Sequence, residues 1–249
     1  MNKIGLQLYT VRNSMNDSDS IRQTLDAVKK AGYDEVQLYG SLELSEETGT
    51  IAKDIGLDVL GTTGSFDEFI ENPQKTIEVH KKLGAEEIGI GGYSYLNTEE
   101  VYDFIAKANE FADFAYKNGF KFSYHNHSHE FIRYDNGKTA FEMLVEGLNP
   151  ETTSFVLDTY WVQHGGGDVR YWIEKLKGRI NILHLKDMKR GAEKSEFAEI
   201  GNGNLYWQGI IDAAKNSAVR HYVVEQDFSE DPMESIKISS EYLHRNFFE

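Results

Sequence analysis

Short apolar runs alternate with amphipathic stretches from one end of the chain to the other. The runs are Ile4–Tyr9, Glu35–Tyr39, Asp58–Gly61, Glu87–Gly91, Lys121–His125, Ser154–Asp158, Ile180–Lys186 and Tyr222–Gln226. They are rich in Val, Ile, Leu, Phe and Tyr, and many meet Gly at an end, which is the pattern of short buried strands. Between them the apolar period changes. Ile21–Ala31 sets Ile21, Leu25 and Val28 at helical spacing, and Gly32 follows as a C-cap. Val101–Lys117 lines up Val101, Phe104, Ile105, Ala108, Phe111, Ala112 and Ala115 on one face before Asn118-Gly119 closes it. Glu46–Asp54, Pro73–Leu83 and Ser235–Phe247 behave alike.

Eight strands and about eight helices leave roughly 31 residues per unit, the length of a βα repeat, and strict alternation calls for a parallel sheet. A closed (β/α)8 barrel, the TIM barrel, of about 250 residues uses the whole chain, 1–249, as one α/β domain. An open doubly wound sheet would want a Gly-rich phosphate fingerprint after the first strand. The chain has Leu8-Tyr-Thr-Val-Arg12 there instead.

Composition narrows the partners. With 26 Lys+Arg against 41 Asp+Glu, the net charge is -15. That opposes nucleic acid, whose phosphates need a basic surface, and it opposes an anionic membrane surface. No apolar run approaches the eighteen or so residues of a membrane span. The N-terminal Met1–Thr10 reads as a first strand and not as a signal peptide, so a cytoplasmic protein is expected. The absence of cysteine removes disulfides, thiolate nucleophiles and thiolate metal sites together.

In a barrel of this kind the chemistry lies at the C-terminal ends of the strands. Tyr124-His125-Asn126-His127 closes the fifth run, Leu157-Asp158 the sixth, His184-Leu-Lys186-Asp187 the seventh and Glu225-Gln-Asp227 the eighth. Strand alternation puts Asp158 on the face of Val156, His184 on the face of Ile182 and Lys186, and Glu225 on the face of Val223 and Asp227. Asp158, His184 and Glu225 then converge above the barrel, with His125 as the fourth group. Mixed imidazole and carboxylate donors suit one divalent ion such as Mn, Mg, Co or Zn, the two imidazoles favouring Mn or Zn. An acid/base hydrogen-bond network is the alternative account of the same four residues. Burying several ionisable groups together is costly unless they pair or bind a cation.

At these positions the sequence resembles the sugar phosphate isomerase/epimerase family with a xylose isomerase-like barrel, which also includes inosose dehydratases, ketose 3-epimerases and apurinic endonucleases. The matching pieces are Gly5-Leu-Gln-Leu-Tyr-Thr-Val-Arg12, Tyr124-His-Asn-His127, Leu157-Asp-Thr-Tyr-Trp161, His184-Leu-Lys-Asp187, Gly201-Asn-Gly203 and Val224-Glu-Gln-Asp227. The resemblance implies that Asp158, His184 and Glu225 are metal ligands. Many relatives have Glu-Asn-His where this chain has His125-Asn126-His127. His125 occupies the glutamate's place as fourth ligand and second base, with His127 or Glu130 as the other candidates. Where related epimerases carry a substrate-binding His, this chain has Trp161, which can stack on a sugar ring or simply pack.

The chemistry implied is metal-dependent isomerisation or epimerisation of a sugar or keto-sugar through an enediolate, with Glu225 as a base and the cation as Lewis acid. Dehydration of the inosose dehydratase kind shares that intermediate, and a non-catalytic sugar-binding barrel is the remaining reading. Lys186 is expected either to hold a substrate oxygen or to snorkel to solvent. Gln7 and Tyr9 share one face at the end of strand one, as substrate contacts or as packing with polar tips. His129 and His164 are placed in loops. Gly201-Asn-Gly203 reads as a backbone N–H cradle for a substrate group or as a plain turn. Few arginines and a solvated Lys189-Arg190 argue for an unphosphorylated substrate. Phe247-Phe248 reads as an oligomer contact, making a homo-oligomer, or as a packed C-terminal helix.

Overall fold

The computed structural model describes residues 3–248, so Met1 and Asn2 of the N-terminal segment and Glu249 lie outside the described residues. Eight parallel strands close on themselves. They are β1 (Gly5–Gln7), β2 (Glu35–Tyr39), β3 (Asp58–Gly64), β4 (Glu87–Ile90), β5 (Lys121–His125), β6 (Thr153–Asp158), β7 (Ile180–Leu185) and β10 (His221–Val224), the last returning to pair with β1. Between β7 and β10 a two-stranded antiparallel hairpin, β8 (Asp187–Arg190) with β9 (Ser195–Ala198), stands outside the barrel. The fold is thus the expected TIM barrel.

Helices α1 (Ser18–Lys30), α2 (Leu42–Ile55), α4 (Pro73–Leu83), α5 (Thr98–Lys117) and α10 (Pro232–Asn246) coincide in substance with the five predicted amphipathic stretches, and α9 (Trp207–Asn216) is a further helix that those stretches do not include. Local signals set their ends. Asp17 and Ser20 form a reciprocal capping box on α1, and Asn97 caps α5 by accepting from Glu100 N. Gly84 ends α4 in the left-handed conformation at φ +68°, which a residue with a Cβ resists. Four shorter helices were not anticipated: α3 (Phe66–Glu71), α6 (Ala140–Gly147), α7 (Thr159–His164) and α8 (Val169–Lys175). Each has eight residues or fewer, too short to show a sustained apolar period.

Other expectations change. The first strand stops at Gln7, and Leu8–Ser14 coil into a 3-10 helix started when Gln7 Oε1 accepts from Tyr9 N. Tyr9 is therefore not on a strand and shares no strand face with Gln7. His164 is exposed on the last turn of α7, stacked on Tyr160, rather than in a loop. Lys189 and Arg190 are exposed as expected, but on β8. Phe248 is buried against Tyr222, and Phe247 is partly buried against the same core.

Outside the sheet, strands and helices share one extended apolar core. Inside the barrel the filling is layered. Leu60, Val156, Ile182 and Val223 form their own cluster, each at most 2% exposed. Val156, Ile182 and Val223 are the inward positions that alternation assigned below Asp158, His184 and Glu225. Beneath this apolar layer Glu87 is buried and accepts from Ser123, Ser154 and Asn181. Its three donors satisfy a carboxylate whose pKa burial raises. No helix among the described residues is long and apolar enough to cross a membrane.

Candidate active site

Four donors meet on the apolar layer. His125 ends β5, Asp158 ends β6, His184 lies on β7 opposite Asp158 in register, and Glu225 is the first residue past β10. Each is at most 5% exposed, and one donor atom from each lies within 4.8 Å of the others. His184 Nδ1 is 3.0 Å from Glu225 Oε2 and 3.8 Å from Asp158 Oδ2; His125 Nε2 is 3.4 Å from Asp158 Oδ2 and 3.8 Å from Glu225 Oε2. The other oxygen of Asp158 accepts from Trp161 N at 2.9 Å as the N-cap of α7, which turns Oδ2 toward the cluster. Asn126 Oδ1 accepts from Asp158 N and steadies the same strand end.

Lys186 stands among the carboxylates. Its ammonium is buried, donating to Asp227 Oδ1 at 2.6 Å and Glu225 Oε2 at 3.1 Å, with Asp158 Oδ2 at 3.5 Å. The expectation that it snorkels to solvent is corrected: three acidic oxygens hold it inside. Trp161 covers it, with Nζ 4.9 Å from the indole centroid, and Phe197 of β9 lies at 5.4 Å. The hairpin therefore folds a ring back over the site.

The charges set the protonation states. Burial opposes ionisation of Asp158, but Lys186, His125 and His184 outweigh it and bring the carboxyl down to about 2. Glu225 is held well below the usual carboxylate range, burial being overcome by Lys186 and His184. Burial would lower His184, yet Glu225 and Asp158 raise it to about 9. Asp227 is pushed up by burial and by the neighbouring Glu225. Three carboxylates thus face one ammonium and one imidazolium, leaving one negative charge uncompensated. A divalent ion in place of the imidazolium proton would bring the cluster to neutrality, and the two imidazoles and two carboxylates offer it four converging donors. The residues present fit such an ion.

A second tier stands behind His184. Its Nε2 is 2.6 Å from Gln37 Oε1, the same oxygen accepts from Gln7 Nε2 at 3.1 Å, and Gln7 Oε1 is fixed by Tyr9 N. Gln7 is fully buried with its amide spent on Gln37, Thr63 and Tyr9, so it supports the site from behind and does not face the cleft. Gln37 was missed, although its place on the inward face of β2 was a signal. Asp227 was seen on Glu225's face but given no role.

The remaining predicted residues form a wall. His127 is mostly buried, its ring 4.8 Å from that of His125 and 5.3 Å from Trp161. Burial and the neighbouring His125 lower it to about 3, so it is neutral, and its Nδ1 has no partner. The indole N–H of Trp161 is likewise buried and unpartnered. Glu130 is turned away from the four donors: Tyr124 donates its hydroxyl to Oε1 and His127 its backbone N–H to Oε2, both at 2.8 Å. His129 Nε2 lies 2.8 Å from Tyr93 O and 3.4 Å from Glu130 Oε1. Tyr9 sits at the cleft edge, 39% exposed, edge-on to Tyr39. Together with Thr63, His125, His127, Glu225 and Asp227, these two tyrosines line a cavity of about 390 Å³.

The glycine cradle proves to be internal. Gly201 N, Gly203 N and Trp207 Nε1 donate to Asp187 Oδ2, while Leu205 N and Met188 N donate to Oδ1. The turn wraps a buried carboxylate of this chain and has no N–H left for a substrate at those positions.

A closed parallel barrel with a buried imidazole and carboxylate cluster at its mouth defines a (β/α)8 barrel with a candidate metal centre. Residues 25–245 match the xylose isomerase-like TIM barrel family, and the chain belongs to it. An inosose dehydratase of Mesomycoplasma hyopneumoniae is 26% identical over 133 residues, covering 51% of this chain and 42% of that one. The chain thus spans less than half the length of that relative. A sugar phosphate isomerase/epimerase from Parabacteroides distasonis superposes with TM-score 0.82 at 23% identity, covering 99% of this chain and 95% of that one. A D-allulose 3-epimerase from Methylomonas sp., in complex with D-allulose, superposes with TM-score 0.75 at 15% identity over 99% and 97% of the two chains. At these identities the structural likenesses show the fold.

Proposed function

We propose that this barrel is an isomerase or epimerase of a sugar or keto-sugar that works with one divalent ion held by His125, Asp158, His184 and Glu225. The observation that carries the reading is the convergence of these four buried donors at the ends of four neighbouring strands of the closed sheet, two of them, His125 and Glu225, lining a cavity sized for a small molecule. The ion, when bound, supplies Lewis-acid polarisation of a substrate carbonyl and its neighbouring hydroxyl.

The chain's own groups then account for the proton movements. Glu225, ionised and facing the cavity, takes the proton from the carbon beside the carbonyl, and the electron pair of the broken C–H bond becomes the enediolate. Return of the proton to the adjacent carbon gives isomerisation, and return to the opposite face gives epimerisation. His125, beside the donors and lining the same cavity, is the second proton carrier. Lys186 holds a substrate oxygen or balances the carboxylates, and Trp161 and His127 form the wall on which a sugar ring stacks. Tyr9 contacts substrate at the rim. The dehydratase reading stays as the alternative, because the sequence relatives matched are inosose dehydratases. There the same enediolate would expel a β-hydroxyl.

The test is solvent deuterium exchange into a panel of ketoses and keto-inositols followed by NMR, with Mn²⁺ present. Wild type is expected to exchange the proton next to the carbonyl, and Glu225→Gln to lose that exchange by about 10²–10⁴-fold with its circular dichroism unchanged. A fully active Glu225→Gln protein would overturn the assignment. Accumulation of an unsaturated product would select dehydration.

A further inference from the structure

The cleft over the four donors is not the whole of the mouth. A second cavity, of about 440 Å³, adjoins it and shares Gly91 and His127 as a common wall. The first cavity already suits one small ligand, so the second is surplus to a single sugar unit. Its lining comes from the start of α3, the loop after β4 and the segment after β5: Ser65, Phe66, Asp67, Tyr93, Ser94 and His129.

The chemistry of that lining is specific. Its lining residues include no Lys or Arg, and its only carboxylate is that of Asp67, so an anionic group would be repelled. Ser65 precedes α3 but makes no side-chain cap to it, which leaves the hydroxyl available. Tyr93 and Phe66 meet edge to face with centroids 5.9 Å apart and give the cavity an aromatic side. Hydroxyl donors and acceptors, one carboxylate and aromatic rings are the partners of a neutral polyhydroxylated unit. At the boundary, Gly92 adopts φ +122°, and a Cβ there would stand 2.9 Å from His127 Nδ1. The missing side chain is what lets the imidazole sit between the two cavities. That Nδ1 is buried and has no hydrogen-bond partner.

We infer that the substrate is a glycoside, with its reacting sugar over the four donors and a second, neutral, hydroxyl-bearing unit beyond His127 between Asp67 and Ser94. The inference rests on the sugar reading above and specifies its substrate class.

Titration calorimetry with D-fructose and with lactulose, which carries a galactosyl unit on the same ketose, tests it in the presence of Mn²⁺. Wild type should bind lactulose at least about tenfold more tightly than fructose, in keeping with added contacts worth about 1.4 kcal/mol. Ser94→Trp, which fills the second cavity, and Asp67→Leu, which removes its carboxylate, should each abolish that advantage and leave fructose affinity unchanged. Unchanged fructose binding also shows that each variant is folded. Equal affinities in wild type, or an advantage that survives both variants, would overturn the inference while the sugar reading stands. Binding of neither probe would overturn both.

Discussion

Gln37 Oε1 lies 2.6 Å from Nε2 of His184, and it also accepts from the amide of Gln7. Because Gln7 Oε1 is committed to Tyr9 N, it is the Gln7 Nε2 amine that faces Gln37 and Thr63 and donates to both, so the Gln37 atom it meets is Oε1, which can only accept from His184. The proton of the imidazole is therefore on Nε2 and the lone pair on Nδ1 whenever His184 is neutral, which aims the ligating atom at Asp158 and Glu225. Gln37→Leu should weaken Mn²⁺ binding by roughly 10–100-fold, the usual effect of losing such a supporting partner. Gln37→Glu, which keeps the acceptor, should retain most of the affinity. Competition with a chromogenic chelator reads both, and equal affinity in wild type and Gln37→Leu would refute the orientation argument.

Lys186, 1% exposed, balances three carboxylates. Removing one partner of a buried ionic group leaves uncompensated charge, typically at a cost of about 3–5 kcal/mol. Lys186→Met should lose stability of that order in urea denaturation with a chelator present. Added Mn²⁺ should stabilise the variant more than it stabilises wild type, since the ion replaces part of the missing charge. A variant as stable as wild type in chelator would show that the ammonium is not needed there.

Two histidines remote from the site should make stability depend on pH with opposite signs. His80 is buried, with Nδ1 2.7 Å from Thr76 O and Nε2 3.0 Å from Thr62 Oγ1, and burial lowers it to about 4. The unfolded chain protonates first, so this contribution is present above pH 6.5 and is lost as pH falls from there toward 4, roughly 3 kcal/mol in all. His221 bridges Glu35 and Glu86 at the barrel floor, and these carboxylates raise it despite burial. Its contribution is complete below pH 6.5 and is lost as pH rises through the raised value. Denaturation midpoints of His80→Gln and His221→Gln between pH 4 and 8 should differ from wild type in these opposite directions. Parallel profiles would contradict both assignments.

The barrel was legible because its strands are fully buried and its units recur at a constant length, two signals that survive in a single sequence. Asp158, His184 and Glu225 were legible for the same reason: strand alternation carries them above Val156, Ile182 and Val223, and those three do fill the barrel. Tyr9 was misplaced because Gln7 caps the residues after it and ends the strand early, a local hydrogen bond that no hydropathy pattern records. The Gly201–Gly203 turn was legible as a ring of N–H donors, but not their target: Asp187 reaches them only once the hairpin has folded back. Lys186 was misjudged as a possible surface lysine since its burial depends on acidic groups from β6 and the end of β10, far away in the chain.

The account stands or falls on one divalent ion held by His125, Asp158, His184 and Glu225. The direct measurement is metal content by mass spectrometry after the purified protein is stripped, equilibrated with Mn²⁺ or Zn²⁺ and desalted, in parallel with Asp158→Asn and His184→Ala. One ion per wild-type chain, lost in both variants while they remain folded, is the expected result. No uptake by wild type, or uptake undiminished in the two variants, would contradict it.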